Sequence, residues 1–360
     1  MRLVQLIHCA GRRAVAVVDG RDLIPLTDID SVYALAHAAL AAGVSMQTLA
    51  AACANGGLHD YDSVYAGDHP WTLLPPADHP SEPARCLVSG TGLTHLASAA
   101  NRDAMHSGAV TVTDSMRMYQ SGVEGGRPAA GVIGSPPEWF YKGCGTVLRA
   151  QNQPLDVPAY AEDGGEEPEI AGVYLIDPSG VPRRLGMTQG NEFSDHVFEK
   201  KNYLNLAGSK LRTCSIGPEL VLDPDFSDVE GSVAIKRGSA TIWTRQIRTG
   251  EAHMCHSLAN MEHHHFKFEP HRRPRRPPRP LLRRQRIQLR RRHPTPGGRP
   301  DAGSFRRLRP SPAQLPSCGC ASGSLRRRGT PISPVPCYPP NGAKPYGSAE
   351  SLCGEARRQG

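Results

Sequence analysis

The sequence predicts an α+β protein: a mostly-β roll or barrel core, a small α+β unit before it and a disordered tail after it. Three observations lead there. Short β-like runs separated by Gly and Pro turns fill the chain from 84 to 270, with only occasional helical stretches. Helical periodicity is concentrated before residue 55. The composition breaks near 271, beyond which 20 Arg and one Lys face three acids and 16 of the 33 prolines gather.

Residues 1–75 read as the small unit. Leu3–His8 and Ala14–Val18 are apolar, β-branched runs joined by a turn, and Asp19-Gly20 is a second turn signal. From Ser31 to Ala42 and from Ser45 to Ala54 the apolar residues recur at three and four, and Gly43 and Gly56-Gly57 stop the two helices. Pro75-Pro76 and His79-Pro80 form a linker. In residues 84–270, Cys86–Ser89 reads as a strand, and Thr91 to Met105 leaves a Gly-rich turn as a helix. After Trp139-Phe140-Tyr141 come the runs Gly172–Ile176, Arg184–Thr188, Ile216–Leu222, Gly231–Lys236 and Ala240–Gln246. Asp114 and Arg117 read as part of a surface helix.

Charge and cysteine usage exclude several classes. The whole chain carries +8 and residues 271–360 carry +18, so residues 1–270 are near −10. An acidic body gives no reason to expect nucleic-acid binding, which shows as a basic face. No run reaches the roughly 18 apolar residues of a membrane helix. Arg12 and Arg13 interrupt the N-terminal segment, which reads as strands rather than a signal peptide. Ten cysteines with no CxxC pair in the body read as reduced thiols, with a cytoplasmic location as the expectation.

The chemistry is concentrated in carboxylates. In Asp163-Gly-Gly-Glu-Glu-Pro-Glu-Ile-Ala-Gly-Val-Tyr, Glu167 and Glu169 stand two apart on an extended segment, so alternation puts both on one face. Two such charges repel unless a cation lies between them, and a divalent ion with oxygen ligands is the simplest candidate. Taken alone, the pair also reads as a solvated acidic turn. The run His263-His264-His265 invites a transition-metal reading, but neighbouring histidines point in different directions and no Cys or acid motif supports it beyond Glu262.

The surrounding segments add a resemblance. Pro136-Pro-Glu-Trp-Phe-Tyr-Lys-Gly143 precedes the Glu pair. Gly186-Met-Thr-Gln-Gly-Asn-Glu-Phe-Ser-Asp195 and Gly208-Ser-Lys-Leu-Arg-Thr-Cys-Ser-Ile-Gly-Pro-Glu-Leu220 follow it. This ordered set, over about residues 84–270, resembles the fumarylacetoacetate hydrolase superfamily. The resemblance implies that Glu167, Glu169 and Glu192 bind Mg2+ or Mn2+, with Glu192 in place of the usual Asp. It implies that Lys210 is a catalytic lysine and His95, in Gly90-Thr-Gly-Leu-Thr-His95, a catalytic histidine. Ser98 stands where the family carries the histidine's Glu partner, and Arg102 or His106 could take over that role.

The Glu-Pro-Glu, the Ser-Lys before Cys-Ser-Ile-Gly-Pro and the run Glu262-His-His-His-Phe-Lys267 are similar to a subgroup associated with dehydration of 2-keto-3-deoxy-L-arabonate. The resemblance therefore implies a metal-dependent lyase acting on a small oxo-acid in sugar-acid catabolism, and a homodimer. Hydrolysis of a carbon–carbon bond in a diketo-acid is the alternative. An Arg-rich nucleic-acid-binding protein is the reading from another class, and it requires the tail to be functional.

The tail itself reads as a shifted frame. Joining the last two bases of each codon to the first of the next allows Gly-Asp-x-His-Val-His-Phe-Phe-Gly from Arg275 and Phe-Asp-Gly-Phe-Gly-Arg-Pro-Leu-Arg-Asn from Phe305. Both resemble the closing strands of the superfamily, so the core is expected to be incomplete at its C-terminal side. The tail as it stands, proline-rich and strongly positive, is expected to be disordered.

Overall fold

The computed structural model describes residues 1–96 and 113–273. Ser98, Arg102, His106 and the Arg/Pro-rich tail from 274 onward lie outside the described residues. Within them the protein is α+β, as expected. In chain order the elements begin with β1 (Arg2–His8), β2 (Arg13–Asp19), β3 (Asp22–Pro25), α1 (Val32–Ala42), α2 (Met46–Cys53), β4 (His59–Asp60), α3 (Tyr61–Ala66) and β5 (Trp71–Leu73). There follow β6 (Leu87–Gly92), α4 (Asp114–Gly125), β7 (Glu138–Cys144), β8 (Leu148–Arg149), β9 (Pro168–Ile176), β10 (Pro182–Asn191), α5 (His196–Lys201) and α6 (Leu206–Lys210). Last come β11 (Cys214–Ile216), β12 (Leu220–Val221), β13 (Val229–Arg237), β14 (Ala240–Thr249), α7 (Leu258–Phe266) and α8 (Glu269–Arg272).

The two expected helices begin at serine caps. Ser31 Oγ accepts the Ala34 N–H at 3.2 Å and Ser45 Oγ accepts the Thr48 N–H at 3.0 Å. Gly43 closes α1 with φ of 66°, a conformation that favours glycine. The run Ile216–Leu222 is split into β11 and β12 by Gly217-Pro218, where proline offers no N–H to the ladder. Trp139-Phe140-Tyr141 lies inside β7, whose inner residues Glu138, Phe140 and Lys142 are buried while Trp139 and Tyr141 face out.

One ten-stranded sheet runs β4-β3-β2-β1-β12-β10-β11-β8, with β5 also on β1 and β9 on β10. Strands β6 and β7 pair with each other, as do β13 and β14. Strand β1 joins residues 1–75 to the rest, because Arg2 and Leu3 pair with Val221 and Leu220. Helices α1 and α2 cover one face of this sheet, where Leu3, Val15, Leu35, Met46, Leu175, Leu185 and Leu220 form one buried cluster. Val4, Leu6, Leu23, Tyr61 and Val64 form a second. Burial on both faces explains why β1 reads as a continuous apolar run. Its one buried polar side chain, Gln5, is satisfied by the Pro75 carbonyl, Asp78 and the Val32 N–H. No single helix among the described residues is long and apolar enough to cross a membrane.

Candidate metal centre

The centre is built on the β9–β10 pair. Their antiparallel register sets Gly190 opposite Glu169 and Asn191 opposite Pro168. Continued one step, it places Glu192 opposite Glu167, and the Glu192 N–H donates to the Glu167 carbonyl at 2.9 Å. Asn191 secures the same corner, its Oδ1 accepting the Glu167 N–H at 3.0 Å. Glu167 and Glu169 share a face through two-residue alternation, and Glu192 meets them across the ladder. Ligand oxygens of all three lie within 4.8 Å of one another. Oxygens bound to a common ion at roughly 2.0–2.6 Å can be that far apart.

Two lysines converge on this cluster. Lys210, the last residue of α6, puts Nζ 2.8 Å from Glu167 Oε1, 3.0 Å from Glu192 Oε1 and 3.6 Å from Glu199 Oε2. The ammonium also stands 4.9 Å over the Phe140 ring. Lys142 is fully buried, and its Nζ donates to the backbone carbonyls of Glu192, at 3.2 Å, and Phe193. It thereby holds the chain as it leaves β10. Asp195 anchors α5 and α6: its Oδ1 caps the Phe198 N–H at 3.0 Å and its Oδ2 accepts from Arg212 at 3.0 Å. Gly90 on β6 passes so close that a Cβ there would meet the Phe140 ring at 2.5 Å and Glu192 Oε2 at 2.9 Å.

The electrostatics show a surplus of negative charge. Glu167, Glu169, Glu192 and Glu199 face the Lys210 and Lys142 ammonium groups and the His196 imidazole, so carboxylates outnumber the cationic groups around them. Burial, then the Glu192 and Glu167 charges, pushes the Glu169 carboxyl well above its ordinary range. Burial and the Glu167 charge raise Glu192 to about 7. Burial also opposes ionisation of Glu167, but the His196 hydrogen bond and the Lys210 charge outweigh it and hold that carboxyl at about 2. Burial alone would lower Lys210, yet the carboxylates of Glu192, Glu167 and Glu199 raise it overall. Lys142, with burial dominant, falls to about 8. Oxygen donors, their spacing and the surplus of carboxylates all fit Mg2+ or Mn2+.

Lys210, Glu167, Glu169 and Glu192 are thus brought together. His95 has other hydrogen-bond partners: its Nε2 lies 2.6 Å from Thr249 Oγ1 and its Nδ1 3.4 Å from Thr94 Oγ1, so threonine hydroxyls take both ring nitrogens. The imidazole that touches the centre is His196, whose Nε2 lies 2.8 Å from Glu167 Oε1. Sequence reasoning passed over it, as it did Lys142 and Glu199 as neighbours of the centre. The available signal was position: His196 directly follows the Ser-Asp that ends the Glu192 segment. The His263–His265 run diverges, with His264 on the Gly134 carbonyl and His265 accepting from Trp139. Glu262 is taken by Tyr174 and Arg184, both at 2.8 Å.

No family model and no curated relative matches the sequence. Solved structures do. The apo form of 2-keto-3-deoxy-D-arabinonate dehydratase superposes with a TM-score of 0.53 at 19% identity, over 74% of this chain and 82% of that one. A structure of the same enzyme complexed with magnesium and 2,5-dioxopentanoate gives 0.50 at 19% identity, over 72% and 80%. At this identity the likeness establishes a shared fold, the one expected from the motifs.

Proposed function

We propose that this chain is a divalent-metal-dependent lyase of the fumarylacetoacetate hydrolase superfamily that removes water from a 2-keto-3-deoxy sugar acid. The observation that carries the reading is the convergence of Glu167, Glu169 and Glu192, with Lys210 lodged against them. The likeness to a dehydratase fold supports the choice of reaction. So does the chemistry of 2,5-dioxopentanoate, which is what a 2-keto-3-deoxy pentonic acid becomes on losing one water and tautomerising. Glu167, Glu169 and Glu192 would hold Mg2+ or Mn2+, whose positive charge would make the C3 proton of a 2-oxo acid more acidic. Lys210, kept protonated by the carboxylates around it, is in the state of an acid and serves the departing C4 hydroxyl. The base at C3 is assigned to His95. Burial, then His253, lowers its pKa, so the ring is neutral near pH 7 and able to accept a proton. This role requires the ring to exchange a threonine hydroxyl for substrate.

The test is incubation of the full chain with 2-keto-3-deoxypentonates and Mg2+, following the oxo-acid product. Turnover that stops with chelator and returns with Mg2+ is expected. Glu169→Gln, which removes a charge and keeps the size, should weaken metal binding and turnover together. Metal-independent turnover, or cleavage of a diketo-acid with none of the sugar acid, would sink the proposal.

A further inference from the structure

We infer that His196 is a positioning residue of the metal centre: its imidazole fixes Glu167 with one carboxylate oxygen turned toward the ion. The inference rests on the metal-centre reading above and concerns a residue which that reading leaves without a role.

The geometry carries it. His196 Nε2 lies 2.8 Å from Glu167 Oε1, and Lys210 Nζ lies 2.8 Å from the same oxygen. An ionised carboxylate only accepts, so Nε2 carries the proton. With two donors already on Oε1, Oε2 is the oxygen we assign to the ion. Lys210 divides its three donors among Glu167, Glu192 at 3.0 Å and Glu199 at 3.6 Å, so it is not dedicated to Glu167. The imidazole is the donor with no competing carboxylate at hydrogen-bonding distance: its other nitrogen, Nδ1, stands 3.9 Å from Asp163 Oδ2, beyond a hydrogen bond.

The ring itself is held. A Cβ on Gly165 would sit 2.2 Å from His196 Nδ1, so the imidazole lies flush against a backbone that only glycine leaves open. Gly165 and Ser194 exchange backbone hydrogen bonds of 2.8 and 2.9 Å, which ties that backbone to the end of β10. His196 is the first residue of α5, directly after the capping Asp195, so its place along the chain is set as well. Supporting groups of this kind orient a ligand carboxylate and are worth about 10–100-fold in metal affinity. The side chain is 35% exposed, so its removal opens a surface notch and leaves the core filled.

The experiment measures Mn2+ binding to the full chain by the electron-spin-resonance signal of free Mn2+, for wild type, His196→Ala and His196→Gln. A glutamine amide nitrogen can reach the place of Nε2. The alanine variant is expected to raise the Mn2+ Kd about tenfold or more, with an unchanged thermal midpoint, and glutamine to restore most of the affinity. Should alanine fail to fold, His196→Leu against His196→Gln makes the same comparison with volume retained. Unchanged Mn2+ affinity in the variant without a donor, or no recovery with glutamine, overturns the role of His196 while the metal centre stands. A wild-type chain that binds no Mn2+ overturns the metal-centre reading and this inference with it.

Discussion

At Glu192, burial and the neighbouring Glu167 charge oppose ionisation until about pH 7. A bound cation and a bound proton compete for that carboxylate, so metal binding must release the proton. The sign follows: affinity falls as pH drops through 7 and rises above it. The Glu192 proton alone should make Mn2+ binding tighten about tenfold from pH 6 to pH 8, and a proton on Glu169, whose carboxyl is also raised, adds to the release. Titration calorimetry in buffers of different ionisation enthalpy reads both the affinity and the proton release. An affinity flat across this range would mean that the carboxylate is ionised throughout.

Among the elements, β6 and the turn into α5 support the centre from outside. Gly90→Ala would drive a methyl into the Phe140 ring, on which the Lys210 ammonium rests, and toward Glu192 Oε2. It should cost about 1–3 kcal/mol of stability and weaken Mn2+ binding, read by denaturation and by metal titration of the same sample. Asp195 and Arg212 form a buried pair 3.0 Å apart, with 4% and 2% of their side chains exposed. Asp195→Ala would leave Arg212 uncompensated and uncap α5, at a cost of about 3–5 kcal/mol by urea denaturation. Burial tends to raise the Asp195 carboxyl, but the Phe198 and Glu162 N–H groups and Arg212 outweigh it and lower its pKa. A carboxyl lowered in the folded state contributes full stability above its unfolded value, about 3.9. That contribution is lost as pH falls through the lower folded value. In Asp195→Ala, acid unfolding should therefore lose this part of its pH dependence.

For the whole molecule, the shared core decides how the chain unfolds. Leu220 on β12 is fully buried in the cluster that contains Leu3, Val15 and Leu35 from residues 1–75. Leu220→Ala should cost about 2–5 kcal/mol and shift one cooperative transition, read by fluorescence and circular dichroism together. Two separated transitions would show that residues 1–75 fold independently. The sheet also has an open side: among the described residues β9 pairs with β10 alone. Among the described residues its outer edge has no strand partner, and an unpaired edge promotes aggregation. A chain carrying the alternative reading frame after Pro274 is therefore expected to be more soluble and to show greater metal-dependent turnover. Equal solubility and activity of the two chains would end the shifted-frame reading.

What could be read from the sequence was local. Ser31, Gly43 and Ser45 mark helix ends because a cap acts within three or four residues. Glu167 and Glu169 share a face because strand geometry alternates every residue, whatever lies beyond. Glu192 came from motif resemblance, since its meeting with Glu167 depends on a register across 25 positions of chain. That register includes an irregularity between Arg184 and Gly186, which shifts the pairing by one residue and which local propensity does not reveal. Lys142, His196 and Glu199 gather at the centre, and His95 turns to Thr249, because of packing between elements distant in sequence. The sequence by itself determined which side chains could bind a cation and which short segments present them. The tertiary structure alone decided which of them meet, because hydrogen-bond register and burial, rather than spacing along the chain, bring charges within a few ångströms.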